Sequence, residues 1–121
     1  MSKRGPVSTA LFVQAVAGQG FAAQGNDQPA DFLIVVTDPD TGDAVVGLTQ
    51  KNFTIINHFS IPGAACGFSN NISSFNDVGT GAYQIQVRPK GCKWVKGDYL
   101  AQILVSGKPG KGQTVAMLSI K

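Results

Sequence analysis

At 121 residues the chain has room for one domain with a self-sufficient core, and its 43% hydrophobic and 14% charged content leaves it poorer in charge than most globular proteins. Fifteen Gly, six Pro and seven carboxylates that are all Asp argue against a helical protein, because Glu favours helix interiors while Asp, Gly and Pro favour turns. The net charge of +3 is unevenly spread: residues 1–77 hold three Lys/Arg against six Asp, and residues 78–121 hold seven against one, so one end or face is expected to be basic, its charges either keeping loops soluble or steering anionic partners.

No segment approaches the roughly 18 apolar residues of a membrane span. The stretch after the initial Met-Ser-Lys-Arg is interrupted by Gln14 and Gln19, and Leu11, Val13, Ala15 and Ala17 fall on one face. It reads as a first strand, 9–17, behind a flexible lead of residues 1–8, rather than as a signal peptide. A polar loop, 18–29, follows. Residues 31–37 are almost continuously apolar, which predicts a central strand covered on both faces. Asp38 to Asp43 is a dense turn signal, with Asp-Pro opening it and Gly42 supplying a positive φ. A short strand, 44–47, a connection, 48–52, and a strand, 53–59, come next. Residues 60–78 read as irregular, with room for a short strand near 72–75.

The clearest alternation is 83–88, where Tyr83, Ile85 and Val87 face one way and Gln84, Gln86 and Arg88 the other. Residues 99–105 repeat it, with Tyr99, Ala101, Ile103 and Val105 inward. A Gly/Lys/Pro connection at 107–112 leads into a closing strand, 114–120, whose length suits either an edge position open to another subunit or an internal one. Seven to eight short strands without a helical crossover predict an all-β antiparallel sandwich in a single domain, 1–121. Its inner faces should include Phe32, Ile34, Val36, Phe53, Ile55, Tyr83, Ile85, Val87, Ile103 and Val105.

Three phrases carry a family resemblance. Asp77-Val78-Gly79-Thr80-Gly81-Ala82-Tyr83 looks like the approach to a tyrosine corner. Trp94-Val95-Lys96-Gly97-Asp98-Tyr99 resembles the lead into the following strand of bacterial immunoglobulin-like and macroglobulin-like domains. Val36-Thr37-Asp38, then Gly42 to Thr49 running into Asn52-Phe53, is similar to a turn phrase of the same modules, with Ala44 standing where Pro is common. The resemblance spans roughly residues 31–106. It implies an immunoglobulin-like β-sandwich acting as a spacer, adhesive module or protein-binding platform, and no particular chemistry.

Cys66 and Cys92 both sit in Gly-flanked loop sequence. Bridged, they would close a loop contributing about 3.5 kcal/mol in the chain-entropy model, and would favour an extracellular or cell-surface location. Two Cys and one distant His do not make a zinc site. His58 lacks the nucleophile and orienting acid of a catalytic triad, and Asp38, Asp40 and Asp43 crowd one turn instead of flanking a cleft. Their spacing departs from the EF-hand pattern. Neither Gly18-Gln19-Gly20 nor the 107–112 connection has the context of a nucleotide loop. Asn52-Phe53-Thr54 and Asn71-Ile72-Ser73 are sequons that matter only in a eukaryotic secretory setting. No cofactor is implied.

The candidate binding residues are Arg88, Lys90, Lys93, Trp94 and Lys96, which place four cations and the single Trp within nine positions. A loop stiffened by Pro89 could present Trp94 as a flat anchor amid positive charge; alternatively Trp94 packs inward and the lysines solvate the loop. Two functional readings result. One is a non-enzymatic interaction or structural module of a larger assembly or surface protein. The other is a domain binding an anionic polymer, nucleic acid or polysaccharide, through residues 88–96. An enzyme is the reading with least support.

Overall fold

The computed structural model describes residues 10–61, 67–107 and 110–121. They form seven strands: β1 (Phe12–Gly18), β2 (Ala30–Thr37), β3 (Phe53–Ile61), β4 (Ile72–Gly79), β5 (Ala82–Val87), β6 (Gly97–Gly107) and β7 (Gly110–Ile120), with one 3-10 turn at Gln50–Asn52. Every strand-to-strand pairing is antiparallel, in a four-stranded sheet ordered β1-β2-β5-β4 and a three-stranded sheet ordered β3-β6-β7. With strands lettered A to G in chain order, this is ABED against CFG, the order of a constant-type immunoglobulin sandwich. No helix among the described residues is long and apolar enough to cross a membrane.

The core lies between the two sheets. All ten residues expected on the inner faces are buried, joined by Leu11, Val13, Phe68, Trp94, Tyr99, Leu118 and Ile120. Strand side chains alternate between faces, so an apolar residue at every second position is sufficient to wall one side of this core.

Four sequence expectations need correction. Residues 44–47 form no strand; the segment is tied by a single bridge, Thr37 to Ala44, and by the Val45 N–H donating to the Val36 carbonyl at 2.9 Å. Residues 72–79, read as largely irregular, are a full edge strand. Its register breaks between Ile72 and Ser74 and between Asp77 and Gly79, which erased the period-two signal. The tyrosine corner belongs to Tyr99, not Tyr83. Near the start of β6, the Tyr99 hydroxyl donates to the Val95 carbonyl at 2.5 Å and accepts from the Val95 N–H at 3.0 Å. The Tyr83 hydroxyl instead reaches the β2–β3 connection, donating to Val45 O at 2.7 Å and accepting from Leu48 N–H at 3.2 Å.

The fourth correction concerns β2. It is central in its sheet, yet only Ala30, Phe32, Ile34 and Val36 are covered. Leu33 on the opposite face is 43% exposed and Val35 is half-buried.

A glycine holds the top of the sandwich together. Gly81 has φ +80°, and a Cβ there would come within 2.9 Å of both the Ala44 side chain and the Val36 carbonyl. A positive φ and a close backbone approach together select glycine at this position.

Candidate functional site

The connection from β5 to β6 carries the predicted binding residues. β5 ends at Val87 and β6 begins at Gly97, so residues 88–96 cap the same end of the sandwich as the β1–β2 loop. Arg88, Lys90, Lys93 and Lys96 are exposed there. Local geometry is set by hydrogen bonds to the 67–71 segment: Arg88 N–H donates to Asn71 O at 3.2 Å, Lys90 N–H to Gly67 O at 3.0 Å, and Asn71 Nδ2 to Arg88 O at 2.9 Å. Cys92 Sγ lies 3.3 Å from the Lys90 carbonyl oxygen. Cys66, its expected partner, lies outside the described residues.

Trp94 does not join the cations at the surface. It is 1% exposed, with its ring centroid 5.9 Å from Phe68 and 5.5 Å from Tyr99, the latter edge to face. Its indole N–H donates to Gln28 O at 2.6 Å, its backbone N–H donates to Asn26 O at 2.7 Å, and its carbonyl accepts from Gly25 N–H at 2.9 Å. A large ring whose one polar atom is satisfied gains most by burial, so Trp94 anchors the β1–β2 loop onto the core and cannot serve as a flat external contact.

Two other singled-out groups have local structural work. His58 sits where β3 shifts register between Asn57 and Phe59, and its Nε2 is 2.6 Å from Gln102 Oε1 on β6. In the 38–43 turn, an Asp38 carboxylate oxygen accepts from Asp40 N–H at 2.8 Å and Gly42 N–H donates to Asp38 O at 2.7 Å, which gives Asp38 a conformational role. Among the described residues no three His, Cys, Asp or Glu side chains converge as a metal site.

The structure adds a surface that sequence reasoning missed. On the outer face of the four-stranded sheet, Val16 of β1 lies directly opposite Leu33 of β2, with Gln14 opposite Val35 in the next outward row. Val16 is 64% exposed, and Phe12 and Val78 are also exposed. Val16, Ala17, Asp31, Leu33, Val78 and Gln84 line a shallow depression of about 390 Å³. A second depression of about 310 Å³ shares Val16 and Leu33 and continues to Val35. The charged group in the first lining is Asp31, whose carboxylate accepts from Gln86 Nε2 at 2.8 Å. The signal was present in the sequence as the unbroken apolar run of β2, which was attributed to a cover on both sides.

No protein-family model matches the chain, and no curated protein matches it in sequence. Among solved structures it is similar to titin M4 in its trigonal form, at 13% identity and a TM-score of 0.44, covering 96% of this chain and 100% of that one. The assignment as an immunoglobulin-like sandwich rests on the strand order and the Tyr99 corner described above.

Proposed function

We propose that this chain is a non-enzymatic interaction or structural module of a larger assembly or surface protein, docking through the outer face of its four-stranded sheet. The observation that carries the reading is the contiguous apolar depression around Val16 and Leu33. Val16 and Leu33 lie side by side and exposed, with Gln14 and Gln84 beside them and Asp31 as the charged member of the lining, and clustered apolar side chains left exposed in this way are a feature of docking faces. The bacterial immunoglobulin-like and macroglobulin-like modules that its sequence phrases resemble act as spacers and binding platforms, which agrees with this role.

The test is affinity capture from the native host with three baits: wild type, Val16→Glu/Leu33→Glu, and a variant neutralised at Arg88, Lys90, Lys93 and Lys96. The expected result is one specific protein held by wild type and by the neutralised loop, and lost from the Glu variant. Retention by the Glu variant would remove the sheet face as the site.

The four exposed cations favour a second reading, contact with an anionic polymer. With Trp94 buried this reading keeps charge but loses its stacking platform. Binding to single-stranded DNA or heparin should then fall with salt at a log–log slope of no more than about −3, as four released counterions dictate. Binding that is unchanged in the neutralised loop would exclude it.

The proposal extends to a Cys66–Cys92 bridge and hence to an exported protein. In support, the Lys90–Gly67 hydrogen bond ties the residue after Cys66 to a residue two positions before Cys92. Non-reducing peptide mapping should find the two cysteines linked, and reduction should cost about 3.5 kcal/mol of stability. Alkylation of both thiols without reduction would remove the bridge and the argument for export.

A further inference from the structure

A large apolar side chain stands in water at the end of the sandwich that carries the cations. Phe21, in the β1–β2 loop, is 80% exposed, more than any other large hydrophobic among the described residues. Its backbone is nonetheless fixed. The Phe21 N–H donates to Pro29 O at 3.2 Å, and the Phe21 carbonyl accepts from Asn26 Nδ2 at 3.2 Å. The turn around it is closed by Ala22 N–H donating to Gln19 O at 3.0 Å. Gly20 in that turn has φ +59°, and a Cβ there would lie 2.7 Å from Pro29 O, so glycine is what lets the two limbs of the loop approach this closely. Ala22, next in sequence, belongs to the core. A backbone anchored on both sides holds the ring outside the fold at a set position.

The same bonds set the ring beside the basic connection. Asn26, whose side chain holds the Phe21 carbonyl, accepts through its own carbonyl from Trp94 N–H at 2.7 Å, and Gly25 N–H donates to Trp94 O at 2.9 Å. Lys93 and Lys96 flank Trp94 in sequence. On the other limb of the loop, Pro29 adjoins Ala30, which pairs with Val87, the residue before Arg88. Phe21 is thus tied on one side to the segment bearing Lys93 and Lys96, and on the other to the strand end bearing Arg88, all three exposed. The loop's own carboxylate is Asp27, while Asp31 at the start of β2 accepts from Gln86 Nε2 at 2.8 Å. Besides Phe21, the exposed side chains of the loop are polar: Gln24, Asp27 and Gln28.

We propose that Phe21 is the stacking platform of a site for single-stranded nucleic acid, with Arg88, Lys93 and Lys96 meeting the phosphates. The proposal rests on the anionic-polymer reading of residues 88–96 and supplies the aromatic that the burial of Trp94 removed from it. A single strand offers flat bases, polar base edges and a charged backbone, and an aromatic set among cations and amides answers all three. A sulfated polysaccharide has the charge without a π-face. A membrane surface rewards buried apolar area, and here one ring stands among polar neighbours.

Fluorescence anisotropy tests this with a labelled oligothymidylate and an abasic strand of equal length. The proteins are wild type, Phe21→Ala, Phe21→Trp and the variant neutralised at Arg88, Lys90, Lys93 and Lys96. Wild type should bind the oligothymidylate more tightly than the abasic strand. Phe21→Ala should lose about 5- to 150-fold on the oligothymidylate and little on the abasic strand, since a base stack goes and no charge does. Phe21→Trp should keep the affinity. The log–log salt slope should be unchanged by Phe21→Ala and flattened by neutralising the loop. Melting of Phe21→Ala should match wild type, because the ring is outside the core. Equal oligothymidylate affinity in wild type and Phe21→Ala, or a wild type that does not distinguish the two strands, would overturn the proposal. If binding in either case still depends on the loop cations, the anionic-polymer reading survives without Phe21. A wild type that binds heparin and neither strand likewise overturns the proposal alone, and one that binds none of the three overturns both. Phe21-dependent binding to anionic phospholipid vesicles, with neither strand bound, would overturn it in favour of a membrane contact.

Discussion

Trp94→Ala is expected to cost about 3–5 kcal/mol and to lower the melting temperature by roughly 10–20 °C. The substitution empties a space between Phe68 and Tyr99 and leaves the Gln28 carbonyl without the indole N–H. A domain of this size has about 5–15 kcal/mol of stability in total, so the variant should be near the limit of folding. Urea unfolding followed by circular dichroism checks it. Neutralising Arg88, Lys90, Lys93 and Lys96, all exposed, should shift the same midpoint by less than about 0.5 kcal/mol each. A Trp94→Ala protein of unchanged stability that loses affinity for a ligand would instead return Trp94 to the surface.

Tyr83→Phe is expected to cost about 2 kcal/mol, and Tyr99→Phe about half of that. Both rings are buried and both hydroxyls hold a backbone N–H and a backbone C=O. The difference lies in what is left behind. The Tyr83 hydroxyl serves Leu48, which is buried, whereas the Tyr99 hydroxyl serves Val95, which water can reach. Losing the Tyr83 bonds also frees the β2–β3 connection that closes over the core.

The same hydroxyls predict an alkaline limit to stability. Burial raises both phenol pKa values, with the backbone hydrogen bonds from Leu48 and Val95 pulling the other way and Asp77 raising Tyr83 further. A phenol whose pKa is higher when folded holds its proton more tightly in the native state. Its contribution is therefore complete below about pH 10 and is lost as pH rises through the native value, when the unfolded chain ionises first. Melting temperatures measured from pH 8 to 11.5 should fall at the alkaline end in wild type and fall less steeply in the Tyr83→Phe/Tyr99→Phe double variant. An equal slope in both would place the alkaline loss elsewhere.

The strands that were legible are those whose alternation is unbroken. β5 and β6 read directly from Tyr83–Val87 and Tyr99–Val105, and the first strand from Leu11, Val13, Ala15 and Ala17. β4 was obscured because its two bulges put Ser73, Ser74, Asn76 and Asp77 out of period, and an edge strand with few buried residues leaves little apolar signal. The tyrosine corner was attributed to the wrong tyrosine because both follow a turn rich in glycine or lysine. Only the partner of each hydroxyl separates them, and for Tyr83 that partner is more than 30 residues away. The basic cluster at 88–96 was visible as composition, while the inward turn of Trp94 depends on Gln28, Phe68 and Tyr99, none of them its neighbour in sequence.

Composition and period-two patterning by themselves determined that this chain is an antiparallel sandwich, and which residues wall its core. Side chains of a strand alternate whatever the strand pairs with, so that information is local. Tertiary structure alone decided that the outer side of β2 is uncovered. That depends on what the rest of the chain leaves unpaired, and a vacancy of that kind is a property of the assembled sheets that no single segment encodes.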